Sequence, residues 1–527
     1  MAHSETPTNP GGERSGAASG NERLAALMAN AAAVVAIASA VEGTLGPKGL
    51  NTMLVDRYGE VTITNDGATI LERMEINHPA AGLVIATARA QAEQVGDGTT
   101  TATLLAAALV SEGVKHVRNG VPVIKVIEGL RAAMLAAAQY LQGQTAVLDS
   151  TDDPRLRQAA LIAGRGDEQL ADLAVQAAQL LGLERLRQDD FRLAETVVAK
   201  EGAPTGLVAG LVLEQSRMSR LMPGEVAPAT VLLVDDALEP EEMEAEALGT
   251  EAGFQRYLKL QEDFRQGLEG VPAVGANCVF VRRGISDAAE ELFTAAGVLA
   301  VRRVSGRDLV RLAEATGARP VKRAALRRPA EELRGVLGRA ERVWESERLG
   351  HLQVLGGGGE PAVTLLVGAA TREVRQERLR IAQDAAAALQ AAVQGGVLAG
   401  GGAVELAASR HLARTRAGLT GMAAYGWDCA LEALKRPLAQ IVSNAGFNPL
   451  EKVEQALARQ AADHGVAWGV DCDSGEVVDM LAAGVVDAAP VKLQALQAAL
   501  EIAEAILRIN ALIRQKPQGP AAAPETP

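Results

Sequence analysis

A glycine- and threonine-rich hexapeptide carries residue types that could bind phosphate. Residues 96–101 read Gly-Asp-Gly-Thr-Thr-Thr and precede an apolar run that predicts a helix. Glycines let the backbone approach a ligand, threonines supply hydroxyls, and the first helical N–H groups point toward negative charge. Asp97 would repel a bare phosphate unless a Mg²⁺ ion lay between its carboxylate and the phosphate oxygens. A helix capped by Asp97, with threonines that are merely tolerated, is the alternative.

Three further loops could face the same ligand, although none is specific alone. Residues 43–49, Gly-Thr-Leu-Gly-Pro-Lys-Gly, fit a helix stop as well as a nucleotide-binding loop. Asn-Asp-Gly at residues 65–67 follows an alternating strand and is most often a turn. Three consecutive glycines at residues 400–402 allow close backbone approach, but they also suit a hinge or a helix end. Asp384, on a long predicted helix over 372–394, reads from pattern alone as a solvated carboxylate.

The composition limits both the fold and the partners. At 527 residues the chain is too long for one hydrophobic core and predicts roughly three domains. Apolar residues make up 48% of it but aromatic residues only 2%, so the core must be built from Ala, Leu and Val, packed mainly as helices. The formal net charge of −13 argues against nucleic acid as a partner.

The cysteines and the apolar runs point to the cytoplasm. Cys278, Cys429 and Cys472 are far apart and odd in number, which argues against a disulfide framework. The histidines show no metal-ligand spacing. No apolar run approaches the roughly 20 residues of a membrane span, and the N-terminus lacks the apolar region of a secretion signal. We therefore expect a cytoplasmic protein without membrane contact.

The elements that must position these residues differ between the ends and the middle of the chain. Apolar residues recur at helical spacing near both ends, which predicts one domain made from both termini with others inserted. The middle alternates strand-length apolar runs with helical patterns, as an α/β domain does. The predicted strands are 230–235, 278–281, 298–301 and 363–367, and the helices between them include 287–295 and 306–316. Residues 1–20 and 515–527 have the composition of disordered tails.

One segment of the middle is acidic, helix-forming and poor in apolar positions. Residues 239–269 fit an ordinary pair of solvated helices. They fit equally well a projecting arm that buries its sparse apolar face only against another molecule. The pattern alone does not choose between these two interpretations.

Taken together, the motifs resemble those of the chaperonins. They are Leu-Gly-Pro-Lys-Gly at 45–49, Asn-Asp-Gly-Ala-Thr-Ile at 65–70, Gly-Asp-Gly-Thr-Thr-Thr-Ala-Thr at 96–103 and Leu-Ala-Gly-Gly-Gly-Ala at 398–403. The resemblance covers residues 22–514 and is closer to the archaeal thermosome type than to the common bacterial type. The Ala- and Arg-rich sequence indicates a bacterial, group III member of this thermosome-like branch.

The resemblance implies three domains. A helical equatorial domain would comprise residues 21–147 and 402–514, and a small intermediate hinge domain residues 148–218 and 368–401. An α/β apical domain would comprise residues 219–367, with a helical protrusion at about 239–269. In the family such a protrusion closes over the ring as a built-in lid.

The resemblance also implies an ATPase cycle that uses ATP and Mg²⁺, with K⁺ as a candidate second cation. Asp97 matches the Mg²⁺ ligand, Asp66 a carboxylate beside the γ-phosphate, and Asp384 the aspartate that polarises the attacking water. The positions that match nucleotide-contacting residues are Leu45, Gly46, Pro47, Gly67, Gly98, Thr99, Thr100, Thr101, Arg165, Gly400, Gly401 and Asp487. Arg165 stands where the thermosome type usually has a lysine that senses the γ-phosphate, which keeps the charge but changes the geometry.

The expected function is ATP-driven folding of unfolded client proteins inside a homo-oligomeric double ring, with about eight subunits per ring. No separate co-chaperonin is expected. The alternatives are a holdase or structural ring without productive ATP cycling, and, more remotely, a small-molecule kinase. Phosphoryl transfer to water needs charge neutralisation and an aligned nucleophile, and Asp66, Asp97 and Asp384 suit those roles. A passive scaffold would not need all three carboxylates.

Overall fold

The computed structural model describes residues 20–76, 78–241 and 250–509. The chain divides into two compact units, each described here by itself. Unit 1 consists of Met1–Ala146 and Val397–Pro527, and unit 2 of Val147–Gly396. The predicted tails fall mostly outside the described residues, as do residues 242–249 of the predicted arm.

The helices of the described residues are α1 (Gly20–Val41), α2 (Gly67–Arg73), α3 (Pro79–Val95), α4 (Thr99–Arg118), α5 (Val123–Gln144), α6 (Pro154–Ala163), α7 (Glu168–Leu186), α8 (Glu251–Ala273), α9 (Asp287–Ala295), α10 (Gly306–Thr316), α11 (Ala330–Arg334), α12 (Arg372–Gly395), α13 (Ala403–Arg416), α14 (Ala423–Ala433), α15 (Arg436–Asn444), α16 (Pro449–Ala462) and α17 (Ala489–Arg508). Short 3₁₀ turns occupy Glu42–Thr44, Leu193–Thr196 and Arg323–Arg327.

The strands are β1 (Thr52–Val55), β2 (Val61–Thr64), β3 (Val197–Glu201), β4 (Gly206–Val208), β5 (Gly210–Leu213), β6 (Glu225–Val226), β7 (Ala229–Val234), β8 (Cys278–Val281), β9 (Leu299–Val301), β10 (Gly338–Ser346), β11 (His351–Gly357), β12 (Thr364–Ala369), β13 (Val397–Ala399), β14 (Trp468–Val470), β15 (Val477–Asp479) and β16 (Val486–Ala488).

Unit 1 is a helical bundle made from both ends of the chain. Helices α4, α5, α14 and α17 pack against one another, and α1 and α3 pack against α4. Their shared core consists mostly of Ala, Leu, Val and Ile side chains, as the low aromatic content predicts. Two-stranded antiparallel pairs, β1–β2, β13–β16 and β14–β15, complete the unit.

Helix α1 corrects one expectation from the sequence. Arg23–Thr44 is long and apolar enough to cross a membrane, by length and composition alone, so the statement that no run reaches that length is wrong. Its side chains explain the apolar character in another way, because Leu27, Val34, Ile37 and Val41 are buried in the core of unit 1. Met28, whose spacing also predicted burial, is instead exposed.

Unit 2 contains two sheets. In the smaller one, β12 lies between β3 and β4, and α12 packs on it together with α6 and α7. The larger sheet has the order β5-β11-β10-β7-β8-β9, with β6 beside β10, and β7, β8 and β9 run parallel. Apolar clusters fill both of its faces. The short apolar runs predicted as strands are therefore strands, because a strand buried on both faces needs a continuous apolar sequence.

Helix α8 accounts for the described part of the predicted arm. Thr250 caps it by accepting a hydrogen bond from the Gly253 N–H at 3.0 Å. Leu268 and Val271, near its C-terminal end, are buried in the core of unit 2, whereas Phe254 and Leu258 in its first half are exposed. Within the part of the chain that the structure describes, the helix is thus anchored at its C-terminal end and exposes apolar side chains in its first half.

Candidate functional site: a phosphate-binding loop with clustered carboxylates

The N-terminus of α4 has the form expected of a phosphate-binding site. Gly98 occupies the cap position with φ +83°, and no side chain in the described ranges caps the helix. A Cβ atom at Gly98 would lie 2.7 Å from Val491 Cγ1, so the position requires glycine. Asp97 accepts a hydrogen bond from the adjacent Gly98 N–H and does not cap the helix. The simple capping interpretation of Asp97 is therefore wrong, and the first N–H groups of α4 remain available to a ligand.

The Asn-Asp-Gly segment lies directly beside this helix end. Asp66 caps α2 by accepting hydrogen bonds from the N–H groups of Ala68 and Thr69, at 3.3 and 2.9 Å. A Cβ atom at Gly67 would lie only 2.3 Å from Thr100 Oγ1. The local turn chemistry predicted for this segment is thus present, and it brings Asp66 against the threonines of α4. The buried Asn65 Oδ1 has no hydrogen-bond partner in the described structure.

Several carboxylates act electrostatically on Asp97. Desolvation in the crowded loop raises the pKa of Asp97, and the charges of Asp487 and Asp66 raise it further, while the Gly98 N–H and Lys492 oppose the shift. The Asp97 side chain itself is exposed, so a cation could reach it. The raised pKa of Asp97 marks a site that is short of positive charge. No group of three or more His, Cys, Asp or Glu residues in the described ranges could hold a metal by itself. A site with one or two carboxylates suits Mg²⁺, which keeps several waters and is completed by phosphate oxygens.

The triple-glycine turn places Asp487 at the same site. Gly402 caps α13 in the left-handed conformation, again without a side-chain cap. Strand β13 pairs with β16, so that Leu398 is opposite Asp487, and a Cβ at Gly400 would lie 3.1 Å from Asp487 Oδ2. Helices α4 and α13 of this unit thus both begin at a left-handed glycine without a side-chain cap.

Lys492 is a site residue that the sequence interpretation missed. Its Nζ lies 2.8 Å from Asp487 Oδ2 and 2.7 Å from Glu405 Oε1, and both Lys492 and Glu405 are buried. Burial works to lower the pKa of Lys492, but the two carboxylates outweigh it and raise the pKa. The signal was available, because Lys492 shares the helical stripe of Ala495, Leu496 and Ala499, all of which are buried.

The Leu45–Pro47 loop is fixed by a side chain that the sequence interpretation also missed. Asn444 Nδ2 donates to the carbonyl oxygens of Glu42 and Leu45, both at 2.8 Å. Gly46 has φ +85° and packs against Ile441 of the same helix, α15. The 3₁₀ turn that precedes the loop packs on α4. The loop therefore lies close to the helix whose N-terminus forms the candidate site.

Asp384 and Arg165 belong to unit 2, where they lie together. The Arg165 guanidinium forms an ion pair with Glu377, and its Nη2 lies 3.8 Å from Asp384 Oδ2. Arg165 has φ +57°, which is uncommon for a residue with a side chain and favours an explanation in terms of function. The structure thus joins two predicted site residues that the sequence interpretation treated separately.

Comparison with known proteins agrees with this architecture. A sequence profile of the TCP-1/cpn60 chaperonin family matches residues 37–517. A thermosome subunit of Methanocaldococcus jannaschii is 34% identical over 496 residues, covering 90% of each chain. A thermosome subunit of Methanopyrus kandleri is 36% identical over 508 residues, covering 92% of this chain and 91% of the other.

A solved structure gives the same result. A crystal structure of a group III chaperonin in the open state superposes with a TM-score of 0.85 and 45% sequence identity, covering 94% of this chain and 100% of the other. The fold predicted from the sequence, a helical equatorial domain from both chain ends with intermediate and α/β apical parts, is thereby confirmed. The chain belongs to the TCP-1/cpn60 chaperonin family and is a thermosome-like chaperonin.

Proposed function

We propose that the site at the N-terminus of α4 binds ATP with Mg²⁺ and that hydrolysis of this ATP drives a cycle in which client proteins fold. The chain is an ATP-dependent chaperonin and an ATPase. The observation that carries the assignment is the α4 N-terminus, which has no side-chain cap and lies beside the exposed Asp97, whose carboxylate is close enough to Asp66 and Asp487 for their charges to raise its pKa.

Each loop has a role in this proposal. The N–H groups at Gly98–Thr101 and the Leu45–Pro47 loop would hold phosphate oxygens, and the Gly400–Gly401 turn with Asp487 would contact the rest of the nucleotide. Asp97 would hold Mg²⁺, which supplies charge neutralisation at the phosphates when bound. The residues fit this cation because the site offers oxygen donors and an excess of negative charge. K⁺ is a candidate second cation on the same grounds.

Asp384 is proposed to orient the attacking water, with Asp66 as the carboxylate beside the γ-phosphate. In this proposal Asp384 is supplied by a hinged domain, so that closure of the hinge gates hydrolysis. Arg165, paired with Asp384, would respond to the γ-phosphate.

We also propose a division of the chain into three domains. The equatorial domain comprises residues 21–147 and 402–514, the intermediate domain residues 148–218 and 368–401, and the apical domain residues 219–367.

Two carboxylate variants test the site. Asp384→Ala should bind ATP with near wild-type affinity and hydrolyse it at least about 100-fold more slowly, because a group that orients water acts mainly on the chemical step. Asp97→Asn should lose the Mg²⁺-dependent part of nucleotide affinity. A wild-type ATPase rate in Asp384→Ala would show that Asp384 does not take part in hydrolysis. A nucleotide affinity of the wild-type protein that does not depend on magnesium would show that the proposed metal site is wrong.

An exposed apolar hairpin supports self-association. In β1–β2 the register places Met53 opposite Ile63 and Val55 opposite Val61, so the four side chains share one face. They are 62%, 52%, 62% and 44% exposed, respectively. An isolated two-stranded hairpin is only marginally stable, and an apolar face that none of the described residues covers favours pairing with another chain. We propose a second copy of the chain as the partner, within a double ring of about eight subunits per ring.

Charge substitutions test this interface. Met53→Glu and Ile63→Glu should convert the assembly into smaller species in sedimentation velocity. Leu450→Glu, at an isolated exposed leucine at the start of α16, is the control and should leave the assembly intact. An intact assembly in the hairpin variants would exclude the hairpin from the ring contact.

The arm that contains α8 is proposed as a built-in lid, so that no separate co-chaperonin is needed. Phe254 and Leu258 are spaced by four residues, lie on one helical face and are 50% and 46% exposed. Such a face gains cover when neighbouring arms meet.

We further propose a cytoplasmic location, without nucleic acid or membrane as partners. The free thiols of Cys278, Cys429 and Cys472 and the net charge of −13 support it.

A further inference from the structure

A buried glutamine joins the proposed metal loop to the C-terminal helix. Gln91, on α3, is 1% exposed. Its Nε2 lies 3.0 Å from the carbonyl oxygen of Asp97 and 3.3 Å from the carbonyl oxygen of Val491, in the first turn of α17. A Cβ at Gly98 would lie 3.0 Å from the same nitrogen. The amide group is therefore enclosed by the loop on one side and by α17 on the other.

The orientation of this amide is fixed by chemistry. Both neighbours are carbonyl oxygens, which accept hydrogen bonds and cannot donate them, so the NH₂ end must face them. The opposite end, Gln91 Oε1, is then buried without a partner in the described structure. An unpaired buried acceptor is costly and rare in folded proteins, and its retention calls for a compensating role.

The two bonds connect the elements that define the site. Asp97 is the proposed Mg²⁺ ligand, and Val491 precedes Lys492, which holds Asp487 and Glu405. A donor on the main-chain carbonyl of Asp97 restrains the loop and leaves the carboxylate oxygens to face the site.

We propose that Gln91 is a positioning residue that holds Asp97 in the geometry for Mg²⁺. This inference rests on the proposed function, since it requires Asp97 to be the metal ligand. Gln91 itself touches neither metal nor nucleotide in this scheme. Groups that orient a metal ligand from behind change metal affinity about 10- to 100-fold when they are removed.

The test compares nucleotide affinity with and without magnesium in the assembled protein. Gln91→Met keeps the length and volume of the side chain and removes the donors. Isothermal titration should show the affinity for MgADP reduced about tenfold or more, with the affinity for ADP in EDTA unchanged. Hydrogen exchange of the amides at residues 96–101, measured without nucleotide, should accelerate. Gln91→Glu, of the same shape, should behave alike because a carboxylate cannot bond two carbonyl oxygens.

The controls separate positioning from general destabilisation. Ser409→Ala removes another buried hydrogen bond to a main-chain oxygen, from Ser409 Oγ to Leu431 at 2.8 Å, and should leave the MgADP affinity unchanged. Equal losses with and without magnesium in Gln91→Met would assign it a structural role only and overturn the inference. Asp97→Asn is titrated in parallel. If it loses magnesium dependence while both Gln91 variants keep it, the inference fails and the proposed function stands. If it keeps magnesium dependence, the proposed metal site fails.

Discussion

Removing the cation of the buried triad should destabilise unit 1 in a pH-dependent way. In Lys492→Met, Asp487 and Glu405 lose the ammonium group that lies 2.8 and 2.7 Å from their oxygens. The Lys492 and Glu405 side chains are 10% and 1% exposed, so water cannot replace the cation at Glu405, whereas Asp487 is 21% exposed. Breaking a buried pair from one side costs about 3–5 kcal/mol. At about 2–4 °C per kcal/mol for a unit of this size, the melting midpoint should fall by about 10 °C.

The sign of the pH dependence follows from the charges that remain. Two carboxylates without a cation must stay ionised in a buried site or take up protons. A folded state that binds more protons than the unfolded state gains stability as the pH falls. The difference in melting midpoint between wild type and Lys492→Met should therefore be larger at pH 8 than at pH 5. Lys125→Met is the matched control, because the Lys125–Glu128 pair is 49% and 57% exposed and such pairs contribute about 0–1 kcal/mol.

Tryptophan fluorescence gives a readout that is specific for unit 1. In a Trp344→Phe background the remaining tryptophans are Trp427 and Trp468, both within unit 1. Thermal unfolding is followed at the two pH values in the absence of nucleotide. A Lys492→Met variant that melts with the wild type at pH 8, or a gap that does not widen with pH, would refute the structural role assigned to the triad.

Three further predictions concern the loops around the site. Gly67→Ala places a Cβ 2.3 Å from Thr100 Oγ1 and should lower ATPase activity about tenfold. The control Gly82→Ala, which has open space around it, should leave ATPase activity intact and raise the free energy of unfolding by about 0.5–1 kcal/mol. Equal ATPase activities in the two variants would show that the close approach of Gly67 to Thr100 is not needed for catalysis. Asn444→Ala removes two hydrogen bonds that anchor the Leu45–Pro47 loop and should raise the KM for ATP about tenfold in steady-state assays. An unchanged KM would mean that this loop does not contribute to nucleotide binding. Desolvation in the loop and the charges of Asp487 and Asp66 raise the pKa of Asp97, so its ionised form opposes folding above that pKa. Asp97→Asn should therefore melt higher than wild type at pH 8 without Mg²⁺, and the two midpoints should converge as the pH falls; a lower midpoint for the variant at pH 8 would contradict this sign.

The sequence predicted well those features that depend on local pattern. Helices α9 and α10 and strand β8 have the bounds that the sequence predicts, because caps such as Ser286 and Ser305 and a continuous apolar run specify them locally. The grouping of both chain ends into one helical unit also followed from the pattern. Helix α1 was the exception, since its length and composition fit a membrane span while its contacts are those of a core helix.

The residues that support the site were harder to predict, because their roles depend on contacts between distant segments. Gln91 and Val491 are 400 positions apart, and Asn444 meets Leu45 from a position 399 residues away. A glutamine or asparagine has no sequence signature for such a bond. Lys492 was detectable as a charge on a buried helical stripe, but its partner Glu405 was not, because a glutamate near a helix N-terminus is common on the surface.

ATP is proposed to close the arm that contains α8 as a built-in lid, and limited proteolysis reports directly on that movement. Arg256 and Lys259, on the exposed first half of α8, offer trypsin sites on the arm. The purified protein is digested alone, with ATP, and with ADP plus a phosphate analogue, and no partner protein is added. We predict cleavage without nucleotide and protection when ATP or the analogue complex is present. Cleavage at the same rate in all three conditions would mean that the arm is not a lid driven by this ATP site.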